Sequence, residues 1–167
     1  MIDAGLFLIR LVFGLVMAAH GSQKLFGWFG GYGLHAVAGM FESLGFRPGR
    51  AFAPLAATSE FVGGLLIALG AFGPIGPAAV LSVMIVAAVS VHWANGLFAS
   101  TNGIEVPLLY GTAAMALALT GPGRYSLDAV SGLGVSWTPA VSWIAIAAGV
   151  VGGVASLALR RPAPVAA

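Results

Sequence analysis

Polar side chains that can hold an anion or move a proton lie inside strongly apolar stretches of this sequence. His20, Gln23 and Lys24 are spaced i, i+3 and i+4, so a helix places all three on one face. An imidazole, an amide and an ammonium on one face can bind an anion or a carbonyl oxygen. The structural alternative is that Lys24 extends toward the lipid headgroups while His20 bonds to a neighbouring helix.

Arg10 and Glu60 are the two charges placed deepest in apolar sequence. A charged side chain at the centre of a bilayer costs about 2.5–3.5 kcal/mol on insertion scales. We therefore predict that Arg10 and Glu60 face the interior of a helix bundle and contact each other. The pair could serve in a site, or it could be a clamp that fixes the register of two helices.

His92 and Asn95 repeat the i, i+3 spacing on a later apolar stretch. We expect them to converge with Glu60 and His20 on a polar pocket near one membrane face, where the pocket could relay protons or contact a quinone. Two histidines and a carboxylate are also metal-ligand types. Because no local histidine pair accompanies them, we predict no metal site.

Two further carboxylates have ordinary structural explanations. Asn102 and Glu105 have the spacing of a helix capping box, with a role in the pocket as the second reading of Glu105. Asp128 follows Ser126 in a turn that resembles a helix start. We expect Asp128 to pair with Arg124 at i, i+4 if that turn is helical.

The composition of the chain restricts its class. Lys and Arg number 7, Asp and Glu number 5, and hydrophobic residues make up 59% of the 167 residues. An ordinary soluble domain has about 25% charged residues and could not bury this much apolar surface. The absence of cysteine excludes disulfides and thiolate chemistry from this chain. The net charge of +2 gives no indication of a nucleic-acid partner. The sequence contains no phosphate-binding glycine loop, so a bound nucleotide is not predicted.

The predicted fold is all-α, a polytopic membrane helix bundle. A crossing needs about 20 apolar residues. The predicted spans are residues 4–24, 51–72, 78–98, 104–119 and 139–159. Residues 34–46 have helical spacing but are too polar to span, which favours an amphipathic helix at the interface. Residues 1–130 form the predicted core, 131–161 a connecting segment with the fifth span, and 162–167 a short tail.

Charge bias and small residues add two expectations. Five spans place most of the basic side chains on one side, which the positive-inside rule assigns to the cytoplasm, with the amino terminus outside; these are Lys24, Arg47, Arg50, Arg160 and Arg161. Small residues one turn apart predict close helix packing in residues 14–18 and 145–153.

Several motifs together resemble the DoxX family of membrane proteins. The segment opens with Arg10-Leu11 and Gly14, followed by HGSQKLFG at residues 20–27. The later matches are FESLGF at 41–46, EFVGGLL at 60–66, His92 with Asn95-Gly96, GIEVPL at 103–108 and GPGRYSLD at 121–128. The resemblance covers about residues 5 to 130, and the fifth span looks like an addition to the four-helix core of the family.

The resemblance implies a multi-pass protein of the bacterial plasma membrane. DoxX-like proteins are similar to the small membrane subunit of thiosulfate:quinone oxidoreductase, and some belong to complexes that handle oxidative or thiol stress. The implied function is a quinone-linked oxidoreductase, or a subunit of one, acting on a small substrate such as a sulfur compound. The partners are then the lipid bilayer, a quinone, soluble redox enzymes and a second copy of the chain, with no nucleic acid.

Within that reading the polar residues take defined roles. The catalytic candidates are Glu60, His92 and His20, and the candidates for binding substrate or quinone are Arg10, Gln23, Lys24, Asn95 and Glu105. The alternative is a non-catalytic scaffold that anchors soluble redox or stress-response enzymes. A small-solute transporter is disfavoured, because paired broken helices in matching halves are not seen in the sequence.

Overall fold

The computed structural model describes residues 1–161, which form seven α-helices and no β-strand. The helices are α1 (Ile2–Phe26), α2 (Gly33–Ser43), α3 (Gly49–Leu69), α4 (Ile75–Ala87), α5 (Glu105–Thr120), α6 (Leu127–Ser131) and α7 (Pro139–Ala158). This confirms the all-α prediction. The tail predicted at 162–167 lies outside the described residues.

Four helices are long and apolar enough to cross a membrane. They are α1, α3, the helical stretch Ile75–Asn95 and α7, with 25, 21, 21 and 20 residues. The third continues beyond α4 through a π turn, Ala88–His92, and a 3-10 turn, Trp93–Asn95. The predicted fourth span, α5, has 16 residues and is about 24 Å long at 1.5 Å per residue. It is therefore shorter than the hydrocarbon core of about 30 Å.

The amphipathic segment forms α2, which packs mainly on α3. Val37 and Phe41 are buried, whereas Glu42 is exposed. The helix ends before residue 46 because Gly45 takes a positive φ of 91° and the Phe46 amide returns to the Phe41 carbonyl. The predicted helix is confirmed with a shorter carboxyl end.

Close backbone contact between α1 and α3 defines their antiparallel register. Gly14 faces Gly64 and Ala68, and Gly21 faces Phe61. A Cβ added at Gly14 would lie 2.6 Å from the Gly64 carbonyl oxygen. The same kind of contact joins α4 to α7, where Gly149 lies against Ala78. The small-residue segments therefore pack helices, as predicted.

The Gly14 contact predicts a stability difference between two glycines of the same helix. Gly14→Ala is expected to lower the free energy of unfolding by about 1–3 kcal/mol, because the helices must separate to admit the methyl group. A methyl group added at Gly5 would have no atom within 4 Å. Gly5→Ala should be neutral or stabilising by up to about 1 kcal/mol from helix propensity. Thermal unfolding in detergent checks both, and equal effects would contradict the packing argument.

The helices have two distinct ends. At the amino-terminal end lie the start of α1, the end of α3 and helix α6. At the other end, called here the basic end, lie the turn between α2 and α3 and the carboxyl end of α7. Arg160 donates from Nε to the Leu44 carbonyl at 2.9 Å, and the Arg161 amide donates to the Gly45 carbonyl at 2.8 Å. The predicted grouping is therefore observed for Arg47, Arg50, Arg160 and Arg161, whereas Lys24 lies beside Glu60 in the middle of α3. The cytoplasmic location of the arginines stays a prediction.

Candidate functional site

A largely buried ion pair joins the last turn of α1 to the middle of α3. Lys24 Nζ lies 2.5 Å from Glu60 Oε1, and it is the only ion pair within residues 1–161. The Glu60 side chain is 2% exposed, whereas that of Lys24 is 29% exposed. The second carboxylate oxygen of Glu60, Oε2, is buried without a hydrogen-bond partner among the described residues. The pair therefore retains one unused acceptor.

The predicted Arg10–Glu60 contact is wrong. The antiparallel register seats Gly21 against Phe61, which brings the last turn of α1 beside Glu60. The same register places the Arg10 side chain beside Gly70, at the opposite end of α3. The carboxylate therefore pairs with the lysine that the sequence pattern assigned to an anion-binding face.

Arg10 is held by backbone carbonyls at the amino-terminal end. Its Nη1 donates to the Pro122 carbonyl at 2.7 Å and its Nη2 to the Tyr125 carbonyl at 2.5 Å. The residue is 3% exposed, and its Nε has no partner among the described residues. These bonds fasten the segment after α5 onto α1, which is a structural role.

Asp128 is a buried carboxylate whose importance sequence reasoning missed. It is 1% exposed and accepts three hydrogen bonds, from the Phe72 amide at 2.9 Å, the Gly73 amide at 2.7 Å and Trp137 Nε1 at 2.7 Å. It joins α6 to the turn between α3 and α4. The sequence signal available for Asp128 was the motif GPGRYSLD, but the local spacing in that motif indicated only a helix cap.

The local structure around Asp128 follows the prediction only in part. Ser126 caps α6 by accepting a hydrogen bond from the Ala129 amide, as the turn predicted. The predicted Arg124–Asp128 pair is wrong, because the carboxylate is directed into the α3–α4 turn. The Arg124 backbone amide instead donates to Asp3 Oδ1 at 3.1 Å.

An apolar cavity of about 460 Å³ opens between α2, α3, α4 and α7. Most of its wall is aliphatic or aromatic, including Phe41, Phe46 and Phe52. Its polar side chains are Lys24, Ser59, Ser82, Ser90 and Ser156. Lys24 therefore contacts both Glu60 and a space suited to a largely apolar molecule, whereas Glu60 itself does not line that space.

His92 and Asn95 form a separate group in the connection between α4 and α5. His92 Nδ1 lies 2.8 Å from the Asn102 carbonyl oxygen, and Asn95 Nδ2 donates to the same oxygen at 3.3 Å. Glu105 lies in the first turn of α5 and accepts from the Ala99 amide at 2.7 Å. The predicted capping by Asn102 is wrong, because Asn102 takes a left-handed conformation with φ 61° and Ile104 precedes the helix.

The remaining predicted site residues lie on the surface of α1. His20 is exposed, and its ring centroid lies 6.1 Å from that of Tyr110 on α5. Gln23 Nε2 donates to the Phe29 carbonyl at 3.2 Å. The hydrogen bonds of residues 1–161 thus do not join His20, Glu60 and His92 into the single pocket that was expected. Lys24 and Glu60 are the predicted residues that the fold brings together beside a cavity.

Comparison with known proteins places the first half of the chain in a family. A family model described as DoxX matches residues 5–93. The match contains Arg10, His20, Lys24, Glu60 and His92, and it ends before α5, α6 and α7. Neither the curated proteins nor the solved structures provide a match to this chain.

Proposed function

Because the chain belongs to the DoxX family and is a multi-pass membrane protein, we propose that it is a quinone-linked oxidoreductase, or a subunit of one, in a bacterial plasma membrane. Its substrate is a small, sulfur-containing molecule, by analogy with the small subunit of thiosulfate:quinone oxidoreductase. The observation that carries the proposal is Lys24, which lines the apolar cavity while it pairs with Glu60.

The residues at the cavity fit a quinone headgroup. A planar ring with two carbonyl oxygens needs apolar walls and few donors, and the cavity offers aromatic side chains, the Lys24 ammonium and serine hydroxyls. When bound, a quinone accepts two electrons from the substrate and two protons from water. The cysteine-free sequence has no thiol that could take up electrons in its place.

Lys24 and Glu60 have different roles at the cavity. Lys24 is placed to donate a hydrogen bond from Nζ to an oxygen atom of a molecule in the cavity, and its charge also favours an anionic substrate. Glu60 holds the ammonium in position. Glu60 Oε2 has no partner among residues 1–161 and can accept a proton during turnover.

The cavity predicts a blocking effect at one of two adjacent alanines on α7. Ala148 and Ala147 are both exposed, but only Ala148 belongs to the cavity wall. Ala148→Phe is expected to weaken quinone binding at least about tenfold, since a phenyl ring fills space that the quinone ring needs. Ala147→Phe is the control and should bind as the unmodified protein does.

The measurement uses purified protein in lipid nanodiscs with a short-chain quinone. Binding follows from quenching of tryptophan fluorescence, and turnover follows from quinone absorbance with thiosulfate or sulfide as the electron donor. Equal binding by the two alanine variants would remove the cavity as the quinone site. Failure of every donor to reduce quinone, with binding retained, would favour a subunit that needs a partner for activity.

A non-catalytic scaffold is the second candidate, favoured by the bonding of the other buried charges. Arg10 and Asp128 are engaged by groups of the protein itself, as a purely structural role requires. A scaffold retains soluble partners at fixed stoichiometry after mild extraction from native membranes. It also keeps them when the Lys24–Glu60 pair is replaced, whereas an enzyme loses turnover.

A further inference from the structure

We propose that this protein binds the phosphate group of an anionic phospholipid at a cluster of four arginines on its basic end. The cluster, called here the arginine corner, consists of Arg47, Arg50, Arg160 and Arg161. It is built from the turn between α2 and α3 together with the residues that follow α7. The site is distinct from the Lys24–Glu60 pair and does not depend on the proposed function.

Backbone and side-chain contacts hold the two parts of the corner together. The Arg161 amide donates to the Gly45 carbonyl at 2.8 Å, and Arg160 Nε donates to the Leu44 carbonyl at 2.9 Å. The Arg160 guanidinium also lies over the Phe46 ring, 5.5 Å from its centroid. Because Arg47 directly follows Phe46, the backbones of the two arginine-bearing segments lie side by side.

The corner has an excess of positive charge. Arg47, Arg50 and Arg161 are exposed, and the only ion pair within residues 1–161 is the one between Lys24 and Glu60. Glu42 is the carboxylate of the adjoining helix, and its Oε1 accepts from the Gly49 amide at 3.0 Å. Four guanidinium groups against one carboxylate leave a positively charged surface that favours an anion from outside the chain.

A lipid phosphate fits this place better than the acidic surface of a soluble protein. The corner lies where the candidate spanning helix α7 and the amphipathic helix α2 both end, and such helix ends reach the lipid headgroups. Guanidinium groups bind phosphate oxygens in a bidentate manner, and basic pockets at the ends of membrane helices bind anionic headgroups. Leu44 is half-buried and adjoins Arg160. An acyl chain thus finds apolar surface directly beside the phosphate site.

The segment after residue 93 completes this site. Arg47 and Arg50 lie inside the part of the chain matched by the family model, whereas Arg160 and Arg161 lie beyond it. Two of the four cations are present only because α7 crosses back to the basic end. The fifth span therefore provides half of the lipid site as well as a wall of the cavity.

The experiment compares lipid binding by full-length protein in detergent, using native mass spectrometry with dioleoylphosphatidylglycerol and dioleoylphosphatidylcholine. The test variant is Arg47→Gln/Arg50→Gln/Arg161→Gln. It spares the Arg160 side-chain bond, and the Arg161 contact with Gly45 comes from the backbone. The control is Arg124→Gln, which removes an exposed arginine from the amino-terminal end.

The unmodified protein should retain phosphatidylglycerol in preference to phosphatidylcholine. The triple variant should lose about a hundredfold in phosphatidylglycerol affinity, at about fivefold for each arginine near an anionic headgroup. Arg124→Gln should bind as the unmodified protein does. Equal retention of the two lipids, or an equal loss in the control, would overturn the proposal.

Two further outcomes identify a different ligand. If excess inorganic phosphate displaces the lipid completely, the corner is a free-anion site and the lipid proposal fails. If the triple variant keeps its phosphatidylglycerol but no longer retains an acidic soluble protein, the corner is a protein-docking surface. Quinone binding is measured separately, so loss of the lipid site and loss of the quinone site are distinguishable.

Discussion

Replacement of Asp128 by Ala is expected to lower the free energy of unfolding by about 3–5 kcal/mol, the typical loss when one partner of a buried charge arrangement is removed. The carboxylate accepts hydrogen bonds from Phe72, Gly73 and Trp137. Its negative charge also acts on the Arg10 guanidinium. The Ala variant leaves three donors without their acceptor and Arg10 without its opposing charge.

Asp3 provides a matched control for Asp128. It is a second carboxylate at the amino-terminal end, but it accepts one hydrogen bond, from the exposed Arg124 amide. Asp3→Ala is expected to cost less than about 1 kcal/mol, as for an exposed contact. Thermal unfolding in detergent measures both variants, and a loss of about 1 kcal/mol lowers the Tm of a chain of this size by about 2–4 °C. Equal Tm values for the two variants would contradict the role assigned to Asp128.

A double variant separates the charge of Asp128 from its hydrogen bonds. If Asp128 stabilises Arg10 electrostatically, Arg10→Gln/Asp128→Asn should be less destabilised than the sum of its single variants. Simple addition of the two losses would mean that Asp128 acts only by fastening the α3–α4 turn to α6.

Replacement of Glu60 by Gln is expected to lower kcat for quinone reduction by about 10²–10⁴-fold, the usual contribution of a group that transfers protons. The change preserves the size of the side chain but removes its charge. Lys24 then loses the partner that lies 2.5 Å away, and the buried proton acceptor is lost as well. Quinone affinity should fall less than kcat, because Lys24 still reaches the cavity.

A double-mutant cycle tests whether Lys24 and Glu60 act together in turnover. Lys24→Gln/Glu60→Gln should be no slower than the worse of the two single variants, because groups that act together give non-additive losses. Glu42→Gln is the control, since Glu42 is an exposed carboxylate at the basic end. His92→Ala in the same assay tests whether the loop between α4 and α5 takes part in proton transfer.

Two results would refute the catalytic role of Glu60. One is a kcat for Glu60→Gln equal to that of Glu42→Gln in protein of unchanged Tm. The other is an equal fall in Tm and kcat, which assigns Glu60 to stability and favours the scaffold. Retention of soluble partners by the inactive variant would give the scaffold independent support.

Hydropathy and periodicity predicted the helices well, because both are local properties of the chain. The first span, predicted at 4–24, is observed as Ile2–Phe26, and the fifth, predicted at 139–159, as Pro139–Ala158. The amphipathic helix was predictable from the spacing of Val37 and Phe41. The π turn that ends at His92 was not predicted, since it interrupts an apolar stretch without a proline or glycine.

The candidate site was predictable by residue type but not by contact. Lys24 and Glu60 both stand out as charges that are costly to bury in a membrane. The sequence nevertheless grouped Lys24 with His20 and Gln23, and it predicted that Glu60 contacts Arg10. The nearest residues of Asp128 indicate a cap, although its hydrogen bonds reach Phe72 and Gly73, more than 50 positions away. A local spacing rule carries no information about such contacts.

Sequence alone was enough to predict that this chain lies in a membrane, where its apolar helices are and which side chains are costly to bury there. These follow from transfer free energies and helical period, which depend on neighbouring residues alone. Which charged side chains contact each other depended instead on how the helices pack. The contacts of Gly14 with Gly64 and of Gly21 with Phe61 set the register of α1 on α3. That register pairs Glu60 with Lys24. It places Arg10 beside the segment that follows α5, where Arg10 donates to the Pro122 and Tyr125 carbonyls.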